Sequence, residues 1–457
     1  MEAKDLAAAT DRELFRRVWS LSWPTVLYCA LEACLGLADL VMVRSLGPEA
    51  TAAVGVSRQV LFLVDAIVLA LVSGVIAVVS QAVGGNRWHT VGQVLRQIML
   101  LALMTALLIG VLGALGAGRI LTALNADQPT LSQATPYLQV SFLGLVFGWA
   151  SLVGASFSRS WGDAVTPLKL ASLVACLNIP LNYLLIHGNS LLPALGVEGA
   201  AIGTIAAQFC GAAGYFVLLT RRTALHPEMK LGAGKVFAFD WQLVSRILRI
   251  GTPMALAGLV RNGSRLMFLM IVGGGAMGMT MHAAVGAGLQ VQLIIVLPAL
   301  AFHVATAALV GQAIGRGDVD EIRRLSLRSV QLLALIMLGI VAVIILCAKP
   351  LAQFLIVDSE VSAVAATVLR WFAVAQFFGS LSITVQGALM GAGDTLPNLR
   401  YTIFTQWLVM LPLTLLATTT NDWQLHGPLI AWTIAHAILL VLLMHRLRSK
   451  DWKTIDP

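Results

Sequence analysis

The chain has 457 residues, of which 58% are hydrophobic and only 11% are charged. Soluble chains carry about a quarter charged residues, so the composition excludes an ordinary soluble domain and places the chain in a lipid bilayer. The net charge of +8 is a topology signal and not a nucleic-acid patch, because it collects between apolar segments.

Twelve apolar runs are expected to cross the ~30 Å of hydrocarbon as helices, at 17–43, 53–80, 94–117, 131–156, 167–187, 199–220, 246–272, 283–312, 329–348, 361–390, 398–418 and 428–447. They break at Gly, Pro and charge clusters such as QAVGGNRWHT and GQAIGRGDVDEIRR. The opening MEAKDLAAATDRELFRR is acidic in part and has no small-residue cleavage site. It reads as an amphipathic lead into an uncleaved first helix, not a signal peptide. With the amino terminus in the cytoplasm, Arg16, Arg17, Arg87, Arg96, Arg159, Lys169, Lys230, Lys235, Arg316, Arg400, Arg446 and Lys450 share one side, and the opposite loops keep little beyond Arg44, Arg119 and Lys349. That asymmetry puts both termini inside; a plasma (inner) membrane protein is expected. The five cysteines show no metal spacing and read as packing residues.

The first span holds ALEACLGLADLV, in which Glu32 and Asp39 are seven residues apart. Two turns separate them, so they share a face about 10 Å apart in height. A carboxylate in hydrocarbon costs several kcal/mol and defaults to a functional hypothesis. Such a group, poised to take up and release a proton, suits a proton-coupled transporter; the competing reading is a static salt bridge to an Arg on another helix. In the second span, Asp65 follows Arg58 by seven residues; an intrahelical charge relay with Arg58 and a meeting with Arg261 both stay open, and a structural ion pair is the preferred reading. Gln81, Gly84 and Gly85 end that span, the glycines supplying the positive φ of a helix cap.

Asn178 and Asn182 flank Pro180 in the fifth span, at i and i+4 on one face. Pro180 frees a carbonyl and favours a kink and a polar cavity. Arg261 and Arg265 share a face of the seventh helix. Three roles stay open for them: holding Glu32 or Asp39, binding an anionic or zwitterionic cargo, or snorkelling to an interface. His303 and His436 lie mid-span, where a hydrogen-bonded packing role competes with proton carriage. Met-rich RLMFLM and GGGAMGMTM offer adaptable surface to apolar cargo, or to neighbouring helices.

The chain repeats itself. Pro24 answers to Pro253, Gln81 to Gln312 and Asp163 to Asp394, at offsets of 229, 231 and 231 residues. Each half therefore holds six spans in the same orientation, a parallel repeat of the kind that alternates access around a midplane site. The fold class expected is an all-α integral membrane protein of two six-helix bundles: residues 1–222, a cytoplasmic linker 223–243, and 244–457.

ADLVMVRSLGPEATAAVG, SQAVGGNR, SWGDAVTP, NIPLNYLLIHG, GQAIGRGD and QGALMGAGDTLPN together resemble the MATE family of multidrug and toxic-compound extrusion transporters, within the MOP flippase superfamily. The resemblance implies a V-shaped pair of bundles and export driven by inward H⁺ or Na⁺. It matches Asp39, Asn178 and Thr204 to residues of the DinF-like branch, but Asn182 stands where that branch has an Asp, and Glu32 where Gln is common. Asn cannot titrate, so the proton falls to Asp39 and Glu32. The Glu and Asp that NorM-like members carry in the second half are replaced by Arg261 and approximately Gly379, which favours H⁺ over Na⁺. Asp163 and Asp394 read as turn-formers and helix caps.

The expectation is a secondary exporter of small organic solutes by H⁺ antiport, with no cofactor beyond the coupling ion, which is H⁺ or else Na⁺. The coupling set is Asp39, Glu32, Asn178, Asn182 and Thr204; the cavity or gate set is Arg261, Arg265, Asp65 and His303. Cargo is expected to be anionic or zwitterionic as well as cationic, with no nucleic-acid partner and a monomer in the bilayer. A flippase for lipid-linked sugars is the rival; an enzyme is disfavoured, since no HExxH or GxSxG motif occurs.

Overall fold

The computed structural model describes residues 11–189, 193–229, 239–275, 278–419 and 423–449. Lys230, Lys235 and Lys450, and residues 230–238 of the expected linker, lie outside the described residues, as do two residues of the Met-rich GGGAMGMTM stretch. The described residues are helical and include no strand. In chain order they form α1 (Asp11–Arg44), α2 (Pro48–Gly84), α3 (Trp88–Ala123), α4 (Gln128–Ser160), α5 (Val165–His187), α6 (Gly196–Leu225), α7 (Trp241–Gly273), α8 (Gly278–Ile295), α9 (Leu297–Arg316), α10 (Val319–Leu355), α11 (Ser359–Ala392), α12 (Leu396–Ile403), α13 (Leu411–Thr418) and α14 (His426–Arg448). A π-helical segment, Phe404–Met410, joins α12 to α13.

Among the described residues, twelve stretches are long and apolar enough to cross a bilayer, with α8–α9 and α12–α13 each making one. All twelve overlap the runs expected from sequence, and the chain is a multi-pass membrane protein. Pro298 stands at the start of α9, where its missing N–H interrupts the ladder between α8 and α9.

The internal repeat is visible in the backbone. Gly162 (φ 93°) and Gly393 (φ 84°) take the same left-handed turn, and they are 231 positions apart. Asn86 (φ 55°) and Gly317 (φ 76°) keep the same spacing. The cap after α2 thus differs from expectation: Gly85 has φ −84°, and the left-handed residue is Asn86, since Asn tolerates that conformation through local hydrogen bonding. The cysteines also differ from the expected packing role: none is buried, and Cys34, Cys176 and Cys347 are exposed.

The chain forms two compact units that part inside α1 and α7. One unit is Leu27–Gly251. Its core joins Val68 and Val75 of α2, Ile98 of α3, Phe142, Trp149 and Phe157 of α4 and Ile247 of α7. A Cβ on Gly251 would lie 1.7 Å from the Ala70 carbonyl oxygen, and one on Gly74 2.2 Å from that of Ile247. Only glycine lets α2 and the start of α7 approach so closely. Arg246 adds a hydrogen bond to Gln81 Oε1 at 3.1 Å.

The other unit unites the described parts of Met1–Val26 and Thr252–Pro457. Leu14, Val18, Leu21, Ser22 and Thr25 form the buried stripe of the first half of α1, at helical spacing. Arg17 Nη1 donates to Glu321 Oε1 at 3.0 Å, and Arg316 Nη2 donates to Glu321 Oε2 at 2.8 Å. Trp432 of α14 lies between Phe268 of α7 and Phe372 of α11, at ring-centroid distances of 4.6 and 5.3 Å.

Asp163 and Asp394 occupy matching places. Asp163 Oδ1 accepts from the Thr166 N–H at 2.9 Å in the first turn of α5 and faces Arg222 at 4.0 Å. Asp394, 4% exposed, accepts from Arg446 Nε at 2.7 Å. Each repeat thereby ties the turn before its fifth span to the end of its sixth.

Candidate functional site

Pro180 inside α5 leaves the carbonyl one turn earlier without its helical donor, and polar side chains gather at this level. Asn178 and Asn182 point from α5 toward Thr204 of α6 and Asp39 of α1. Asn182 Nδ2 lies 2.8 Å from Asp39 Oδ1, 3.2 Å from Asn178 Oδ1 and 3.3 Å from Thr204 Oγ1. Asn178 Nδ2 donates to Thr204 Oγ1 at 3.0 Å, and that hydroxyl donates to the Ala200 carbonyl at 2.9 Å. Both asparagines are buried, at 3% and 0% exposure. The α5–α6 contact depends on Gly203, where a Cβ would come within 2.2 Å of Asn182 Oδ1. That oxygen is buried and accepts no hydrogen bond among the described residues.

The other oxygen of Asp39 faces a cation. Arg58 Nη2 of α2 is 3.6 Å from Asp39 Oδ2, and its Nη1 donates to the Gly36 carbonyl at 2.7 Å. A Cβ on Gly36 would sit 3.1 Å from Arg58 Nη2, so this glycine makes room for the guanidinium. Asp39 is therefore held from two sides, by an uncharged amide and by a cation.

Gly36, Asp39, Arg58, Asn178 and Thr204 line a cavity of ≈ 570 Å³ within the Leu27–Gly251 unit, together with Glu32, Asp65, Tyr28, Trp149 and Tyr215. The volume suits a drug-sized molecule. Asp65 does not pair with Arg58, contrary to the sequence expectation. Seven residues of helix hold the two about 10 Å apart along α2, and Asp65 Oδ1 instead accepts from Trp149 Nε1 at 2.9 Å. Arg58 reaches across to Asp39.

Glu32 has its own neighbourhood. Tyr28 precedes it by one turn, and the Arg159 guanidinium carbon stands 4.3 Å from the Tyr28 ring centroid. Arg159 is 7% exposed, its Nε and Nη2 have no hydrogen-bond partner among the described residues, and its charge acts on Glu32. Sequence reasoning treated Arg159 as a loop charge. The signal that it is something else was its position before SWGD, inside the apolar end of α4.

Arg261, Arg265 and His303 belong to the other unit and are not part of this cavity. His303 Nδ1 is 2.9 Å from the Ile383 carbonyl and His436 Nδ1 is 2.8 Å from that of Trp432. A carbonyl only accepts, so Nδ1 carries the proton in both rings. Among the described residues no group of three or more His, Cys, Asp or Glu side chains is placed to hold a metal ion.

The MatE family model matches residues 24–184 and 253–416, once in each repeat. The chain belongs to the MATE family. A probable multidrug resistance protein NorM of Thermotoga maritima is 28% identical over 403 residues, covering 88% of this chain and 85% of the relative. A protein of the same description from Rhodopseudomonas palustris is 28% identical over 456 residues, covering 96% and 93%. A crystal structure of MATE in the bent conformation superposes with a TM-score of 0.86 at 21% identity, covering 98% of this chain and 99% of that one. MATE proteins are transporters of the MOP superfamily, so the chain is a transporter and not an enzyme.

Proposed function

We propose that the chain is a multidrug-type exporter of small organic solutes that works by antiport with H⁺ through alternating access, with Asp39 as the proton-carrying group. The observation that carries this reading is the setting of Asp39: a carboxylate on a cavity wall, hydrogen-bonded by Asn182 and facing Arg58 at 3.6 Å. When ionised, Asp39 holds the guanidinium. A proton on Oδ2 removes the negative charge, releases Arg58 from the pair and changes the charge of the cavity that Asp39 lines. Loss of the proton restores the pair. Glu32, beside Tyr28 and Arg159 in the same cavity, supplies a second proton-accepting group. The relatives described as multidrug resistance proteins support the cargo class. The charge asymmetry of the loops supports a plasma-membrane protein with both termini cytoplasmic, and each repeat carries a full set of spans, which suits a monomer.

Na⁺ coupling is the second reading, and one atom favours it. Asn182 Oδ1 is a buried oxygen without a donor, next to Asp39 and Thr204, and hard cations take oxygen ligands. Against it, Arg58 already places a positive charge on Asp39.

The test is uptake of a mixed solute panel into proteoliposomes under separately imposed H⁺ and Na⁺ gradients. The wild type should respond to the pH gradient alone. Asp39→Asn should abolish coupled flux and Glu32→Gln should impair it; wild-type coupled flux in Asp39→Asn defeats the assignment.

A further inference from the structure

The two units treat charge in opposite ways. Within Leu27–Gly251 the spans carry three carboxylates, Glu32, Asp39 and Asp65, all on one cavity. In the unit that contains Thr252–Pro457, the described carboxylates of that stretch are Asp318, Asp320, Glu321, Asp358, Glu360 and Asp394. Every one of them lies at a helix start or in the turn between α11 and α12. The spans of this unit nevertheless contain Arg261 and Arg265.

Arg261 is deep. α7 runs for 33 residues from Trp241 to Gly273, and Arg261 lies four positions past its middle residue, Ala257. At 1.5 Å per residue that is about 6 Å from the helix midpoint, which leaves about 9 Å between its backbone and a headgroup layer some 15 Å from the midplane. Its place is also on the packed side of the helix, since Ala257, Ser264, Phe268 and Val272 on the same stripe are 0–2% exposed. Neither guanidinium makes a hydrogen bond or an ion pair among the described residues. Arg261 and Arg265 are partly buried, and a desolvated charge without a counter-charge is disfavoured, so an anion would stabilise them.

The surroundings are irregular in a way that fits a ligand. The π-helical segment Phe404–Met410 meets α7 on both sides of Arg261: Trp407 Nε1 donates to the Val260 carbonyl at 3.1 Å, and Ser264 Oγ lies 3.4 Å from Gln406 Oε1. π-helical turns are rare overall and are frequent at functional sites. The charge of Arg261 is felt at both His303 and His436, whose Nδ1 hydrogens are committed to carbonyls and whose Nε2 atoms have no hydrogen-bond partner among the described residues.

We propose that Arg261, assisted by Arg265, binds the anionic group of an organic cargo, a carboxylate, sulfonate or phosphate, inside this second unit. The proposal rests on reading the chain as an exporter of organic solutes, and it names the cargo charge that the second unit selects. A guanidinium matches these groups through paired N–H donors. An unprotonated Nε2 on either ring is suited to accept from a cargo N–H or O–H. Cargo binding and proton carriage thereby fall to different units.

The experiment measures saturable binding of radiolabelled 1-naphthoate, benzyl phosphate and 1-naphthalenesulfonate, and of the uncharged isostere 1-naphthamide, to the purified full-length chain in phosphatidylcholine nanodiscs. At least one anion should bind more tightly than the amide. Arg261→Gln should weaken that anion about tenfold or more, the size expected for loss of a charge-assisted hydrogen bond, and leave the amide unchanged. Arg261→Lys should keep part of the preference, and Arg265→Gln should lose less than Arg261→Gln. Failure of every anion to bind, no preference over the amide, wild-type anion affinity in Arg261→Gln, or equal loss of anion and amide overturns the proposal. Repeating the titration with phosphatidylglycerol added separates the sources: displacement of the bound anion by this lipid makes the site a headgroup site and defeats the cargo assignment, whereas indifference supports it. These readouts need no ion gradient, so the coupling reading can fail while this one stands, and the reverse.

Discussion

Arg58 lies 3.6 Å from Asp39 across the gap between α2 and α1, while Asp65, on the same helix as Arg58, bonds to Trp149 instead. The pair is partly open, with the Arg58 side chain 42% and the Asp39 side chain 13% exposed, so its strength should sit at the low end for such contacts. In thermal unfolding of Arg58→Gln, Asp39→Asn and the double variant, a coupling of about 0.5–1 kcal/mol is expected. Additive single effects would mean that the two charges do not act on each other.

Gly203→Ala should disturb the coupling set without touching a charged group. The new methyl would enter the space of Asn182 Oδ1, 2.2 Å from the Cβ position, with the Asn182 backbone N at 3.0 Å behind it. Either α5 and α6 separate or Asn182 turns away from Asp39. The expected cost is about 1–3 kcal/mol, read as a lowered unfolding temperature. Coupled flux should fall further than binding of an uncharged solute.

Gly251→Ala and Gly258→Ala form a matched pair on one helix. At 251 the methyl meets the Ala70 carbonyl at 1.7 Å, and at 258 it meets nothing within 4 Å. The first should destabilise by about 1–3 kcal/mol or more. The second should be neutral or gain about 0.5–1 kcal/mol from helix propensity. Equal effects in thermal unfolding would contradict the close approach of α2 and α7.

The two repeat-related aspartates should differ in their dependence on arginine. Asp394 is 4% exposed and 2.7 Å from Arg446 Nε, so Arg446→Ala leaves a buried carboxylate without its cation, at a cost approaching about 3 kcal/mol. Asp163, with a 21% exposed side chain and Arg222 at 4.0 Å, also has the Thr166 N–H as a donor. Arg222→Ala should therefore cost less than about 1 kcal/mol. Unfolding temperatures of the two variants, compared in the same detergent, decide the order.

The spans were legible because hydropathy and length alone specify a membrane helix, and the repeat because left-handed turns need Gly or Asn at fixed places such as Asn86 and Gly317. The grouping of Asp39, Asn178, Asn182 and Thr204 could be anticipated from the Pro180 kink and the family pattern. What could not be read was which helix faces which at a given height. Arg58 was assigned to Asp65 because both sit on α2, whereas its partner is on α1. Arg159 passed for a loop charge because nothing in a linear pattern reveals that Tyr28 covers it at 4.3 Å. The parting of the units inside α1 and α7 was equally hidden, since it depends on backbone approach at Gly251 and on the burial of Leu14 and Val18.

That parting has a consequence for how the chain is made. Arg17 is bonded to Glu321, 304 residues further along. At ribosomal speeds of about 5–20 residues per second, roughly 15–60 s pass between the synthesis of the two. Over that interval Leu14, Val18 and Leu21 await most of their own unit, which begins again only at Thr252. Nor is the Leu27–Gly251 unit complete when its sixth span has left the ribosome, because Ile247 and Gly251 have yet to close against α2. A chain halted after α6 thus holds two unfinished surfaces at once, and insertion machinery or lipid must shield one until α7 emerges and the other until the rest of its unit follows.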